Sequence, residues 1–312
     1  MLRLVVMRLL DSIPTILLAL TLVFVALRLL PGDPALAALG DYASPQQLAE
    51  FREKMGLNDP LWQQYLDFAR NALFLDFGIS LYSGYPVMEL VMFHLPYTVE
   101  LTIASILIGI VISIPLGVAA ATNRGKGIDS GSRIFALIGS AVPDFYLGAV
   151  ILIAFALNLG WFPVSGGGEE FWDRMHRLVL PALTLALIKS AFLSRLTRSS
   201  LLEVLQRDYI RTARAKGAHE RRVIYRHGMR NALLPITTGI GLSSLATLSG
   251  SVAVELIFNR PGLGNMLITS IEQRDYPVMQ AGIVLFTMIV ILVNLVLDLL
   301  YVVLDPRLQA KS

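Results

Sequence analysis

Charge is missing from a few long stretches of this chain and crowded between them, and that distribution limits the folds open to it. Leu101 to Ala121 and Ala232 to Val254 carry no charged residue. Ser12 to Leu30 carries only Arg28, Ile134 to Leu159 only Asp144, and Val278 to Leu304 only Asp298. A bilayer core of about 30 Å is crossed by roughly 20 helical residues. A helix suits that medium because it satisfies its own backbone donors and acceptors. Five spans follow directly. A sixth, Leu178 to Ser194, is shorter and holds Lys189, which must snorkel or face protein. Six spans return the C-terminus to the starting side, and five do not. A mean hydropathy of +0.64 and a charged fraction of 16% agree with a membrane protein, since soluble domains carry about 25%. The expected fold class is all-α, with six transmembrane helices and a small helical loop domain.

Arg3 and Arg8 ahead of an apolar run, with Ala35-Leu36-Ala37 beyond it, also suit a secretory signal peptide. The run opens on Asp11 and Pro14 and continues through Leu30, past the usual length of roughly 7–15 residues. It is therefore expected to stay as the first helix. Pro115, Pro143, Pro181, Gly109 and Gly148 fall inside spans, where neighbouring helices can satisfy the freed carbonyls. Gly239, Gly241, Ser243, Ser244 and Gly250 either let helices approach closely or simply pack.

The absence of cysteine excludes disulfides, thiolate metal sites and redox pairs. His94, His176, His219 and His227 lack metal-ligand spacing. No nucleophile, base and orienter stand together, so the chain does not read as an enzyme, and nothing points to nucleic acid. Counting Lys and Arg, the alternate loops divide 17 against 7. The positive-inside rule then places 1–11, 122–133, 195–230 and 305–312 in the cytoplasm, with both termini. The organisation expected is an N-terminal segment and first span (1–30), a periplasmic loop domain (31–96), a core (97–304) and a cytoplasmic tail (305–312).

In the loop domain, Ser44-Pro45-Gln46-Gln47 reads as a helix start. Asn58-Asp59-Pro60 reads as a second cap, opening a helix through Arg70. Eight acidic residues against three basic give this loop either a plain solvated surface or a docking face for a soluble partner. Phe258 to Asn265 is punctuated by turn residues, with a short helix expected over Met266 to Gln273.

Residues 195–230 hold ten of the 26 basic residues. Asp208 can cap a helix there, and Gly217 can take the left-handed conformation that ends it. A second helix is expected over His219 to Arg230. No Gly-x-x-x-x-Gly-Lys-Ser/Thr phosphate cradle exists in the chain, so any nucleotide-driven energy source lies elsewhere. The loop is either a topogenic segment that binds anionic membrane lipid or a docking element.

The string Tyr209-Ile210-Arg211-Thr212-Ala213-Arg214-Ala215-Lys216-Gly217 resembles the cytoplasmic coupling motif of binding-protein-dependent ABC importer permeases. With Arg230-Asn231-Ala232-Leu233-Leu234-Pro235 it is similar to the dipeptide, oligopeptide and nickel branch. Leu29 to Pro34, Asp76-Phe77-Gly78, Leu95 to Leu101, Gly250 to Glu255 and Arg260 to Gly264 extend the resemblance over nearly the whole chain. Where the broad importer motif begins Glu-Ala-Ala, this chain has Arg211-Thr212-Ala213.

The resemblance implies a type I ABC importer-like bundle in a bacterial inner membrane. Its implied partners are a second homologous permease, one or two cytoplasmic ATP-binding subunits and a periplasmic substrate-binding protein. ATP and Mg would sit on the ATPase, leaving no cofactor on this chain. Asp208, Tyr209, Arg211, Thr212, Ala213, Arg214, Ala215, Lys216 and Gly217 would form the ATPase-coupling helix. Ionisable residues within spans are functional candidates because burying charge in lipid is costly. Asp144, near mid-span, is either a translocation-pathway residue or an interhelix hydrogen-bonding group. Glu255 is the second pathway candidate, although like Glu100 and Asp298 it sits nearer a span end and is expected to anchor or pair, with Lys189 as a partner for one of the three. An ion-coupled secondary transporter is the alternative. It needs intramembrane ion sites and usually internal repeats, and leaves the basic loop without a role.

Overall fold

The computed structural model describes residues 2–29, 34–40 and 42–304. The tail 305–312, residues 30–33 of the run after the first span, Asp41 and the side chain of Asp298 lie outside the described residues.

In chain order the helices are α1 (Leu2–Leu29), α2 (Pro34–Leu39), α3 (Pro45–Lys54), α4 (Leu61–Phe74), α5 (Val87–Thr122) and α6 (Gly127–Ala141). Next comes α7 (Asp144–Ile151), prolonged by a π-helical run over Leu152–Asn158. After α8 (Phe171–Leu205) and α9 (Asp208–Ala215), the short α10 (Glu220–Arg222) passes through a second π-helical run (Val223–Met229) into α11 (Arg230–Ile257). Helices α12 (Leu263–Glu272) and α13 (Tyr276–Leu304) close the chain. Among the described residues only an isolated bridge, Ile79 to Pro86, is strand-like.

Among the described residues four helical stretches are long and apolar enough to cross a membrane: α5, α8, the continuous Glu220–Ile257 and Tyr276–Val296 of α13. Within α1, Ser12–Ala26 is a shorter apolar stretch.

The third expected span is not one straight helix. It breaks between α6 and α7, and the two halves meet at 107°. The break falls at a proline: Pro143 has no N–H to donate and disfavours helical geometry at the residue before it. Val142 is accordingly extended (φ −90°, ψ 124°), and Pro143 caps the new helix. Pro181 and Pro235, by contrast, sit inside continuous helices.

Two packing units divide the chain. The first comprises Met1–Thr98 and Pro261–Leu295. Its core joins Leu20, Val23 and Phe24 of α1, Phe68 of α4, Val87 and Val91 of α5, and Met279 and Val284 of α13. Ser44 caps α3 in a full capping box with Gln47, as its sequence predicts. Helix α4 begins at Leu61 behind Pro60, with no side-chain cap, and runs to Phe74, so Asp59 is not its cap. Helix α12 starts three residues earlier than expected, where the Leu263 amide donates to Thr98 Oγ1 at 2.8 Å.

The second unit comprises Val99–Arg260 and Val296–Ser312. Its axis is α8, the doubtful sixth span of the sequence. Here 61% of the apolar window is buried, against 33% in α5, so lower hydropathy reflects protein rather than lipid around it. A Cβ on Gly139 would overlap Ala191 of α8, and one on Gly239 would overlap Leu196. Small residues thus let α6 and α11 lie close against α8. Ser190 of α8 donates to its own Ala186 carbonyl (2.6 Å) and to Gly109 of α5 (3.2 Å).

Candidate functional site

Helix α9 projects from the end of α8 as an eight-residue helix with one apolar foot. Ile210 is fully buried where α9 lies on the π-helical run Val223–Met229, and Ala213, one turn on, is half-buried. Asp208, Tyr209, Arg211, Thr212, Arg214, Ala215, Lys216 and Gly217 all remain exposed. An 8-residue helix is too short to persist alone in water. Three features hold it.

The start is weakly capped. Arg207 occupies the cap position without a side-chain bond, and Asp208 is the first helical residue rather than the cap. Its carboxylate favours the helix N-terminus through the macrodipole and lies 3.6 Å from Arg211. The end is strongly capped. Gly217 is left-handed at φ +78°. Its amide reaches Arg214 O (2.9 Å), while the Ala218 amide reaches Ala213 O (3.1 Å). This pair of bonds is the Schellman arrangement.

The third feature is a two-point ion pair. Arg214 donates from Nε to Glu220 Oε2 (3.1 Å) and from Nη2 to Oε1 (2.7 Å). Hydrogen bonding from Arg214 holds the Glu220 carboxyl below its ordinary range and raises the guanidinium in return. Glu220 opens α10, whose cap is the His219 ring accepting from the Arg221 amide. The separate second helix expected over His219 to Arg230 is instead the beginning of one helix, Glu220–Ile257. The wider turns of Val223–Met229 keep the backbone helical, and Gly228 there meets Leu201 and Leu205 of α8. Helix α9 thus packs on the first turns of one continuous helix that includes α11.

A second contact ties α6 to α8. Asp129 is buried and accepts from Arg198 Nε (2.5 Å), Arg198 Nη2 (2.9 Å) and the Gly125 amide (2.9 Å). At the opposite ends of the helices, Glu100 of α5 receives Arg174 of α8 (2.7 Å) and Arg260 beyond α11 (2.9 Å). Arg260 is fully buried, and its amide donates to Glu255 O at 2.8 Å. The anchoring role expected of Glu100 is what it performs. Among the described residues Lys189 makes no ion pair with Glu100 or Glu255; the third expected partner, the Asp298 side chain, lies outside them.

Asp144 stands in the first turn of α7, at the bend midway along the pair α6–α7. It is half-buried and makes no hydrogen bond among the described residues. Its carboxylate lies against Gly250 of α11, where a Cβ would overlap Oδ2. Glu255 is fully buried on the same helix. Five residues displace it by about 7.5 Å along the axis and turn it to another face. The two pathway candidates are thus not brought together.

The family described as binding-protein-dependent transport system inner membrane component matches residues 113–310, and its N-terminal companion matches residues 1–102. The chain belongs to this family. The oligopeptide transport system permease protein AppB of Bacillus subtilis (strain 168) is 45% identical to the permease over 312 residues, covering 98% of each chain. The glutathione transport system permease protein GsiC of Escherichia coli (strain K12) is 40% identical over 311 residues, covering 100% of each. A chain of the methionine ABC transporter MetNI, from an inward-facing crystal form, aligns with a TM-score of 0.58 at 19% identity. It covers 70% of the permease and 98% of the MetNI chain, and shows the shared fold.

The permease is therefore a multi-pass inner-membrane subunit of an ABC importer, and the secondary-transporter alternative is not favoured. The motif string located α9 but not its supports. Ile210 lay inside the string without being singled out, and its signal was available: with Ala213 it forms the i, i+3 apolar pair of an otherwise polar segment. Glu220 carries no motif that sets it apart within the basic loop. Its contact with Arg214 depends on the reversal at Gly217, which places residues six apart within bonding reach.

Proposed function

We propose that this permease moves peptides or closely related small solutes inward by alternating access, driven by a separate ATPase that grips α9. The observation carrying the proposal is the construction of α9: an exposed basic helix, pinned at its foot and its end, packed against the start of the rod Glu220–Ile257. The names of the AppB and GsiC relatives, oligopeptide and glutathione, support the peptide class. In this reading α1, α5, the bent pair α6–α7, α8, the Glu220–Ile257 rod and α13 are six spans. The 17-to-7 basic asymmetry supports a cytoplasmic side for α9 and both termini.

ATP binding closes an ATPase dimer, whose groove carries residues 208–217 with it. The rod transmits the displacement, and the bundle opens toward a loaded periplasmic binding protein. One or two ATP-binding subunits and a second homologous permease complete the assembly, with ATP and Mg on the ATPase. Direction follows because nucleotide binds the two states unequally. Asp144, half-exposed at the bend, is the proposed pathway residue; Glu255 joins the pathway only when the Glu100 corner opens.

The test is uptake of labelled di- and oligopeptides into proteoliposomes holding the permease pair, its ATPase and its binding protein. The expected result is accumulation that requires ATP and the binding protein. Uptake driven by an ion gradient without ATP would overturn the proposal.

A further inference from the structure

Helix α4 buries Phe68 and Ala72 and leaves most of its other apolar side chains exposed. At helical spacing, Tyr65, Phe68 and Ala72 share one face, and of these Phe68 and Ala72 are buried. Trp62, Leu66 and Leu73 form an adjacent stripe that stays 66%, 56% and 71% exposed. Gln63, Asp67, Arg70 and Asn71 occupy the remaining arc. Such a helix has one face for protein, one for water, and a third apolar face left over.

The contacts of α4 with α1 fix its depth. Arg28 hydrogen-bonds Gln64. Phe24 stacks with Tyr65 (5.5 Å between centroids) and Phe68 (6.0 Å). Thr21 Oγ1 meets Tyr65 OH at 2.9 Å. Arg28 folds back over the Phe24 ring (5.3 Å to the centroid), and the apolar stretch of α1 ends at Ala26. From Ala26 to Thr21 is about 7.5 Å along the helix axis. The Tyr65 hydroxyl therefore sits about 7.5 Å inside the end of that stretch, within the depth to which interfacial helices sink their apolar face.

We infer that α4 lies in the membrane interface, with the Trp62–Leu66–Leu73 stripe against lipid acyl chains. Lipid is the occupant because the stripe lies at the depth of an apolar span and continues its surface: Leu18, Leu22 and Val25 of α1 are exposed as well. A tryptophan at the rim is what such interfaces favour. The loop domain is then partly membrane-embedded rather than wholly a soluble elaboration. This inference rests on α1 being a span, part of the reading proposed above.

The test uses the importer complex in phosphatidylcholine nanodiscs, with Trp161→Phe and Trp172→Phe leaving Trp62 as this chain's reporter and a Trp62→Phe control subtracting the other subunits. The expected result is a blue-shifted Trp62 emission that is lost when the lipid carries brominated acyl chains. Because the chain has no cysteine, Leu66→Cys and Leu18→Cys in turn report access to a charged maleimide, and both are expected to resist labelling. Labelling of Leu18→Cys would remove the span and with it the six-span reading. Labelling of Leu66→Cys alone would place α4 in water and overturn only this inference. Protection of Leu66→Cys with Trp62 unquenched would assign the stripe to another subunit, and would overturn it equally.

Discussion

Replacing Gly217 separates backbone geometry from bulk as the reason this position works. Nothing lies within 4 Å of a Cβ built there, so size alone meets no obstacle. The penalty comes from φ +78°. A left-handed L-residue costs roughly 1–2 kcal/mol, which for Gly217→Ala is about a 5- to 30-fold loss in the population of correctly capped α9. A β-branched Gly217→Val approaches about 3 kcal/mol, or roughly a hundredfold. Gly217→Asn, bulkier than alanine but tolerant of left-handed geometry, loses least. The assay is the affinity of purified ATPase for the permease pair in nanodiscs, with coupled ATP hydrolysis as a second readout. The expected order is Gly, Asn, Ala, Val. Equal affinity for all four, or asparagine as poor as valine, would refute the lever argument.

Three further outcomes follow from the same contacts. Glu220 is more acidic in the folded protein than its ordinary value of 4.5, so its pairing with Arg214 stabilises fully above that pH. The stability is lost as pH falls through the lowered folded value. Both side chains are about half exposed (42% and 54%), so the pair contributes under about 1 kcal/mol. The mobility of a spin label at 215 should be flat from pH 8 to 5, rise below, and become pH-independent in Glu220→Gln. Gly139→Val forces a side chain into Ala191 of α8, and thermal denaturation in detergent should show a loss of about 1–3 kcal/mol. Glu100→Gln weakens two ion pairs, one to the fully buried Arg260, whereas Arg174→Gln removes one partly exposed partner. The first variant should melt clearly lower than the second, although Glu100 is 30% exposed and the cost stays below the roughly 3–5 kcal/mol of a fully buried pair.

The sequence disclosed the elements better than their joints. Four of the expected spans, in α5, α8, α11 and α13, were legible as apolar runs of membrane length, α8 despite Lys189. The bend at Val142-Pro143 was misread as a tolerated proline. Composition cannot distinguish Pro143, which breaks its helix, from Pro181, which does not; the packing around each decides. Gly217 was legible as a helix stop because few residues accept a left-handed turn. Asp208 was misplaced by one position, an offset that local propensity does not resolve. The Glu100–Arg174–Arg260 corner was half visible. Glu100 could be assigned an anchoring role, but its partners lie 74 and 160 residues away in sequence. No local pattern connects them.

The account stands or falls on what touches α9. A single cysteine at Ala215, in a chain that has none of its own, can be cross-linked by a short bis-maleimide in inverted membrane vesicles containing the complete importer. The predicted result is a covalent adduct between the permease and an ATP-binding subunit carrying one cysteine in its groove, with none from a Ser83→Cys control. Absence of the adduct at 215 in vesicles that still transport with ATP would contradict the claim that the ATPase drives this protein through α9.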